Sequence, residues 1–258
     1  MIRAIFLDMD DTLYSHTIGG IPASATEAIQ KARENGIKVF LATGRHKREL
    51  EQLVKEELPL DGFITVNGAY SYQKDRVLDS HPISQRDMES LYAFLQGNHV
   101  PVVFLEDEKM YINMHDDLVQ EDMDKIHTAY PDIEPLERIL QNPIYQFIPY
   151  VNDEIWNRMN QNLKDVQSTR WNIALDVVSK DAGKDIGIRR IAEINGWEKE
   201  EIMAIGDGPN DVSMLKAAGV AVCMGNGTDF CKSVADYVTD VIDKGGIMHA
   251  FKHFGLIY

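Results

Sequence analysis

Short apolar runs that end in acids or hydroxyls alternate with amphipathic stretches through the first eighty residues. Residues 4–8 form an apolar run closed by Asp8, the pattern of a buried strand. Over 22–35, Pro22 precedes Ala25, Ala28, Ile29 and Ala32 at helical spacing, and Gly36 supplies a stop. Residues 38–43 read as a second strand, 46–57 as a second helix and 62–67 as a third strand, and alternation over 70–80 predicts a hairpin. This βαβαβ order predicts a parallel sheet wrapped by helices. The same grammar returns late in the chain. A helix over 184–195 closes at Gly196, followed by a strand over 201–207, a helix over 209–218 and a strand over 220–224. A short helix, a strand over 237–239 and a last helix from Ile247 complete it.

The middle follows a different rule. Helical periodicity over 84–96 precedes two strands, 102–106 and 110–114, and a helix over 117–129. A strand over 145–151, a helix over 153–165 and a hairpin built from 169–172 and 174–178 follow. The chain is therefore expected to be α/β, with a catalytic core made of 1–82 and 181–258 and an α+β domain, 83–180, inserted between them.

Composition narrows the class. Of 258 residues, 44% are hydrophobic and 26% charged, which suits a globular protein and not a disordered one. No apolar run approaches the roughly 20 residues that span a bilayer, and the N-terminus lacks the features of a signal peptide, so a cytoplasmic location is expected. Lys and Arg number 26 against 41 Asp and Glu, a net charge of -15. That field disfavours nucleic acid and anionic membrane as partners. It also repels phosphorylated molecules, so a phosphate site would need local positive charge. Cys223 and Cys231 read as small buried hydrophobes. The histidines, His16 among them, form no ligand pattern, and nothing in the sequence specifies an oligomeric state.

Ligands of open parallel sheets bind beyond the carboxyl ends of the strands. Three such ends here are polar: Asp8-Met9-Asp10-Asp11-Thr12, Thr43-Gly44-Arg45, and Gly206-Asp207-Gly208-Pro209-Asn210-Asp211. Lys184 opens a later helix. Asp8 and Asp10, two apart in extended chain, point the same way. Two such charges about 4 Å apart repel by about 4 kcal/mol at an effective dielectric near 20. Asp207 adds to the crowding, and a divalent cation with a taste for hard oxygen, Mg²⁺, relieves it.

Asp8-x-Asp10-x-Thr12-Leu13, Thr43-Gly44-Arg45, Lys184 and Gly206-Asp207-Gly208-x-Asn210-Asp211 resemble the four motifs of the haloacid dehalogenase superfamily of phosphatases. The long insert resembles the type IIB cap of Cof-type sugar phosphatases, and Asn67-Gly68-Ala69 fits that subgroup. Asp11 stands where the subgroup carries Gly. The resemblance implies a Rossmann-like core and Mg-dependent hydrolysis of a small phosphorylated metabolite, with sugar phosphates as the expected class. It makes Asp8 the nucleophile that becomes an aspartyl phosphate and Asp10 the general acid and base. It gives the metal to Asp8, Asp10 through its carbonyl, and Asp207. Met9, Thr43, Gly44, Lys184 and Asn210 are implied for the substrate, with Asp211 supporting them from behind. Arg45 is expected either on phosphate or paired with an acid to anchor the lid. Arg170, Trp171, Asn172 and Asp176 are candidate substrate contacts in the insert.

A phosphomutase of the same fold shares all these residues. A phospho-acceptor signalling domain also combines acids, a hydroxyl and a lysine around Mg²⁺, but is about half as long and carries its nucleophile after the third strand. A dinucleotide-binding domain is disfavoured, since no Gly-x-Gly-x-x-Gly follows the first strand.

Overall fold

The computed structural model describes residues 1–53, 58–125 and 129–258. Residues 54–57 and 126–128, parts of the helices expected over 46–57 and 117–129, lie outside the described residues. In chain order the strands are β1 (Ala4–Leu7), β2 (Lys38–Ala42), β3 (Gly62–Thr65), β4 (Tyr70–Gln73), β5 (Arg76–Ser80), β6 (Val102–Leu105), β7 (Met110–Ile112), β8 (Asp132–Ile133), β9 (Gln146–Pro149), β10 (Val166–Trp171), β11 (Ala174–Ser179), β12 (Ile202–Gly206), β13 (Val220–Cys223) and β14 (Tyr237–Val238). The helices are α1 (Ala23–Glu34), α2 (Lys47–Leu53), α3 (Gln85–Gln96), α4 (Asp117–Lys125), α5 (Asp153–Asn160), α6 (Lys184–Asn195), α7 (Val212–Ala217), α8 (Asp229–Val234) and α9 (Gly246–His253).

Two compact units result. The first contains Met1–Gly44, Glu51–Asp79 and Gly183–Tyr258. Its sheet has the order β14-β13-β12-β1-β2-β3-β4-β5, parallel from β14 to β3 and antiparallel where β4 returns on β3. Ala4, Phe6, Phe40, Ala42, Ile202 and Ala204 alternate onto one face, where Ile188 and Ile191 of α6 and Met214 and Leu215 of α7 cover them. Ile5, Leu7, Val39 and Leu41 are just as buried, so the central strands are covered on both faces. That is why they read as continuous apolar runs and not as alternation. Leu7 lies level with Leu41 on one side and Ile205 on the other. Asp8, the residue after Ala42 and the residue after Gly206 therefore emerge along one edge.

The second unit contains Arg45–Leu50 and Ser80–Ala182. Its sheet runs β10-β11-β9-β6-β7-β8, antiparallel except for the β7–β8 pair. Met88, Leu91, Val102, Phe104, Phe147, Trp156 and Val177 form its own core. The two-residue β8 and a 3₁₀ turn over Leu136–Leu140 were not expected from sequence, being too short to show a period. Among the described residues no helix is long and apolar enough to cross a membrane.

Candidate active site

The chain leaves β1 through a tight turn. The Asp8 amide still donates to the Ile205 carbonyl at 2.9 Å, and the Met9 carbonyl then accepts from the amides of Leu13 (2.9 Å) and Tyr14 (2.7 Å). Asp11 takes φ 56, a left-handed conformation that Asp tolerates better than most residues. The turn can therefore form without a glycine at this position. Beyond it the strand doubles back: Asp10 bridges Tyr14, and Ser15 bridges Gly20. Asp8 ends up buried, while Asp10 remains partly exposed with its Oδ1 2.8 Å from the His16 Nε2.

Asp211 reaches the same place from the loop after β12. Its Oδ2 accepts from the amides of Asp207 and Gly208, both at 3.0 Å. A methyl at Gly206 would stand 2.6 Å from the Asp211 Cβ, so this approach requires glycine. Lys184, the first residue of α6, arrives from a third direction. Its Nζ donates to Asp8 Oδ1 at 2.6 Å and to Asp211 Oδ1 at 2.7 Å, with only 2% of the residue exposed. Gly68, at φ +89, lets the turn after β3 press on the Gly183 backbone just ahead of Lys184; a side chain there would collide with it. The Thr12 hydroxyl donates to Asp207 Oδ1 at 3.3 Å.

One carboxylate oxygen from each of Asp8, Asp207 and Asp211 lies within 4.8 Å of the others. Burial and the charge of Asp211 push the Asp8 carboxyl up, and Lys184 only partly reverses this. Burial, then Asp211 and Asp11, push Asp207 up to about 7. Burial opposes the charge on Lys184, but Asp211 and Asp8 outweigh it and the ammonium is held above its usual range. One cation among three acids leaves an excess of negative charge on hard oxygens. That donor chemistry fits a divalent metal, with Asp211 already committed to Lys184 and two amides.

The remaining expected residues fall in known positions. Thr43 is buried, its amide donating to the Ile64 carbonyl at 2.8 Å. At Gly44 a Cβ would stand 2.9 Å from Asn67 Oδ1. Met9 is buried, and Asn210 is exposed just ahead of α7. Arg45 groups with the second unit and stands 3.6 Å from Glu49, four residues on in the same unit. Within that unit the Trp171 Nε1 and Gln146 Nε2 both donate to Asp176 Oδ1, at 2.9 and 3.0 Å, and Tyr150 meets Trp171 edge-on. Arg170 pairs with Asp153 at 2.8 Å, and Asn172 takes φ 42 in the two-residue β10–β11 turn. Sequence reading passed over His16. Its spacing from Asp10 matches no ligand or helical period, so only the folded turn brings the two together.

A family model described as haloacid dehalogenase-like hydrolase matches residues 5–251. YkrA of Bacillus subtilis (strain 168) is 29% identical over 257 residues, covering 99% of this chain and 98% of that protein. The pyridoxal phosphate phosphatase YbhA of Escherichia coli (strain K12) is 28% identical over 253 residues, 92% of each chain. The solved structure of the HAD subclass IIB sugar phosphatase BT4131 superposes with a TM-score of 0.86 at 34% identity, over 99% of this chain and 100% of that one. With its mostly parallel core sheet, its inserted mixed sheet and its acid-lysine cluster, the chain belongs to the haloacid dehalogenase-like hydrolases, as a phosphatase with their subclass IIB fold.

Proposed function

We propose that this protein hydrolyses a small phosphorylated metabolite, with sugar phosphates as the leading class, through a phospho-aspartate on Asp8. The observation that carries the reading is the clamp on Asp8: a buried carboxylate held at 2.6 Å by Lys184, in an acid cluster with Asp207 and Asp211. Lys184 Nζ fixes Asp8 Oδ1 and leaves the other oxygen to attack phosphorus, splitting one hard displacement into two. Asp10 protonates the leaving oxygen and then takes a proton from the attacking water. Thr43, the Met9 and Gly44 backbone and Asn210 hold phosphate oxygens, and Lys184 offsets their charge. Asp8, Asp207 and the Asp10 carbonyl would hold Mg²⁺, which would supply further positive charge against the phosphoryl group. Asp211 keeps Lys184 and the Asp207 loop in place. Selectivity for the rest of the substrate is assigned to residues 83–180, with Trp171 and Asp176 foremost. The related proteins differ in this part of their substrates, a sugar phosphate in one and pyridoxal phosphate in another. A small-metabolite substrate suits a cytoplasmic enzyme.

The test is a phosphate-release screen over metabolite phosphates with Mg²⁺, beside the Asp8→Asn variant. Acid quenching during turnover should trap one phosphoryl group on Asp8, and Asp8→Asn should be folded and inactive. More than a few per cent of residual turnover in that variant removes the covalent route.

A further inference from the structure

We infer that His16 is a positioning residue for Asp10, orienting the carboxyl group that moves the proton in both half-reactions. The inference rests on the reading of Asp10 as general acid and base. Residues 10–20 form a narrow double-back held by the Asp10–Tyr14 and Ser15–Gly20 bridges. Ser15 anchors it, exchanging backbone hydrogen bonds with Gly20 (2.9 and 3.2 Å) and donating its hydroxyl to Asp243 Oδ1 at 2.6 Å. The Tyr14 ring meets the His16 ring edge-on at 5.3 Å. The imidazole is thereby aimed at Asp10, with Nε2 2.8 Å from Oδ1.

The side chains of His16 and Asp10 are both partly exposed, at 50% and 37%. Neither is packed into a rigid core, so a hydrogen bond to the carboxyl group is one of the restraints on the Asp10 rotamer. In the tautomer that carries the hydrogen on Nε2, the imidazole donates to Oδ1, which accepts whether or not Oδ2 holds a proton. That divides the two carboxyl oxygens. Oδ1 stays bound to imidazole, and the transferred proton rides on Oδ2. In the first half-reaction the Oδ2 proton passes to the leaving oxygen as its bond to phosphorus breaks and the bond from Asp8 forms. In the second, Oδ2 takes a proton from water as the water oxygen attacks phosphorus and frees Asp8. A carboxyl group able to rotate would offer the wrong oxygen, or none, for part of the time, and positioned proton transfer loses rate steeply with such disorder.

The experiment compares two leaving groups in the Mg²⁺-loaded full chain. p-Nitrophenyl phosphate expels a stabilised phenolate that needs little proton assistance, whereas glycerol 3-phosphate and hexose 6-phosphates expel alkoxides that need a proton. His16→Phe should lower kcat/KM for the alkyl phosphates by about tenfold more than for p-nitrophenyl phosphate, the scale of one lost charge-assisted hydrogen bond. His16→Gln, which keeps a donor, should recover most of the loss. Equal losses on both substrate types, no loss, or no recovery by Gln overturns the positioning role. Asp10→Asn on the same panel separates the two readings. If its loss is no larger for alkyl phosphates than for p-nitrophenyl phosphate, the assignment of Asp10 fails. If it is selective for alkyl phosphates while His16→Phe is not, only the role of His16 fails.

Discussion

Replacing Lys184 by Met removes a buried cation from the acid cluster while keeping most of its volume. Lys184 is 2% exposed and Asp211 is fully buried, so solvent cannot take over its role. Two charge-assisted hydrogen bonds are lost, at 2.6 and 2.7 Å. At about 1.5–3 kcal/mol each they sum to roughly 3–6 kcal/mol. Breaking a buried ion pair by removing one partner costs about 3–5 kcal/mol, in agreement. Lys184→Met in chelator should therefore lose about 3–5 kcal/mol, a hundred- to several-thousand-fold fall in the folded-to-unfolded ratio. Lys184 lowers the Asp8 carboxyl, so its removal raises Asp8 further. The folded variant then binds a proton that the unfolded chain has released, so the loss is greatest at high pH and shrinks as pH falls towards 4. Urea denaturation of the wild type, Lys184→Met, Asp211→Asn and the double variant, in EDTA at pH 5 and 8, measures both effects. The double variant should be less destabilised than the sum of the singles by more than 1 kcal/mol. A loss below about 1 kcal/mol for Lys184→Met, or strict additivity, would refute the clamp.

Four further outcomes are expected. Asp207, held up to about 7 without a cation, binds a proton that the unfolded chain releases above the ordinary 3.8, so metal-free stability should fall as pH rises across that window. Cation binding displaces the same proton, so calorimetry should find Mg²⁺ bound about tenfold more weakly at pH 6 than at pH 8; equal affinities contradict the assignment. Gly68→Ala combines a left-handed backbone with a collision against Gly183 and should cost roughly 2–4 kcal/mol, with kcat falling as Lys184 shifts; a melting temperature within a degree of wild type counts against the contact. Trp171→Ala should change the ranking of phosphorylated substrates by at least about fivefold, and an unaltered ranking argues that selectivity lies elsewhere.

The sequence by itself determined the α/β class, the strand ends and the family. Buried parallel strands must be continuous apolar runs, as residues 4–8 and 38–43 are, and the groups placed just beyond them are legible because chain position sets strand position. Helix α6 was readable to the residue, since Gly196 closes it in a left-handed cap. The tertiary structure alone decided the partnerships. Lys184 lies 176 positions from Asp8 and 27 from Asp211, and no local period connects them. The burial that clamps them, and that lifts Asp207 to about 7, exists only once the ends of β1 and β12 and the start of α6 meet. The same holds for His16 and Asp10, six residues apart across a turn. Periodicity encodes which residues are buried, whereas distance and dielectric, which govern charge, belong to the folded chain.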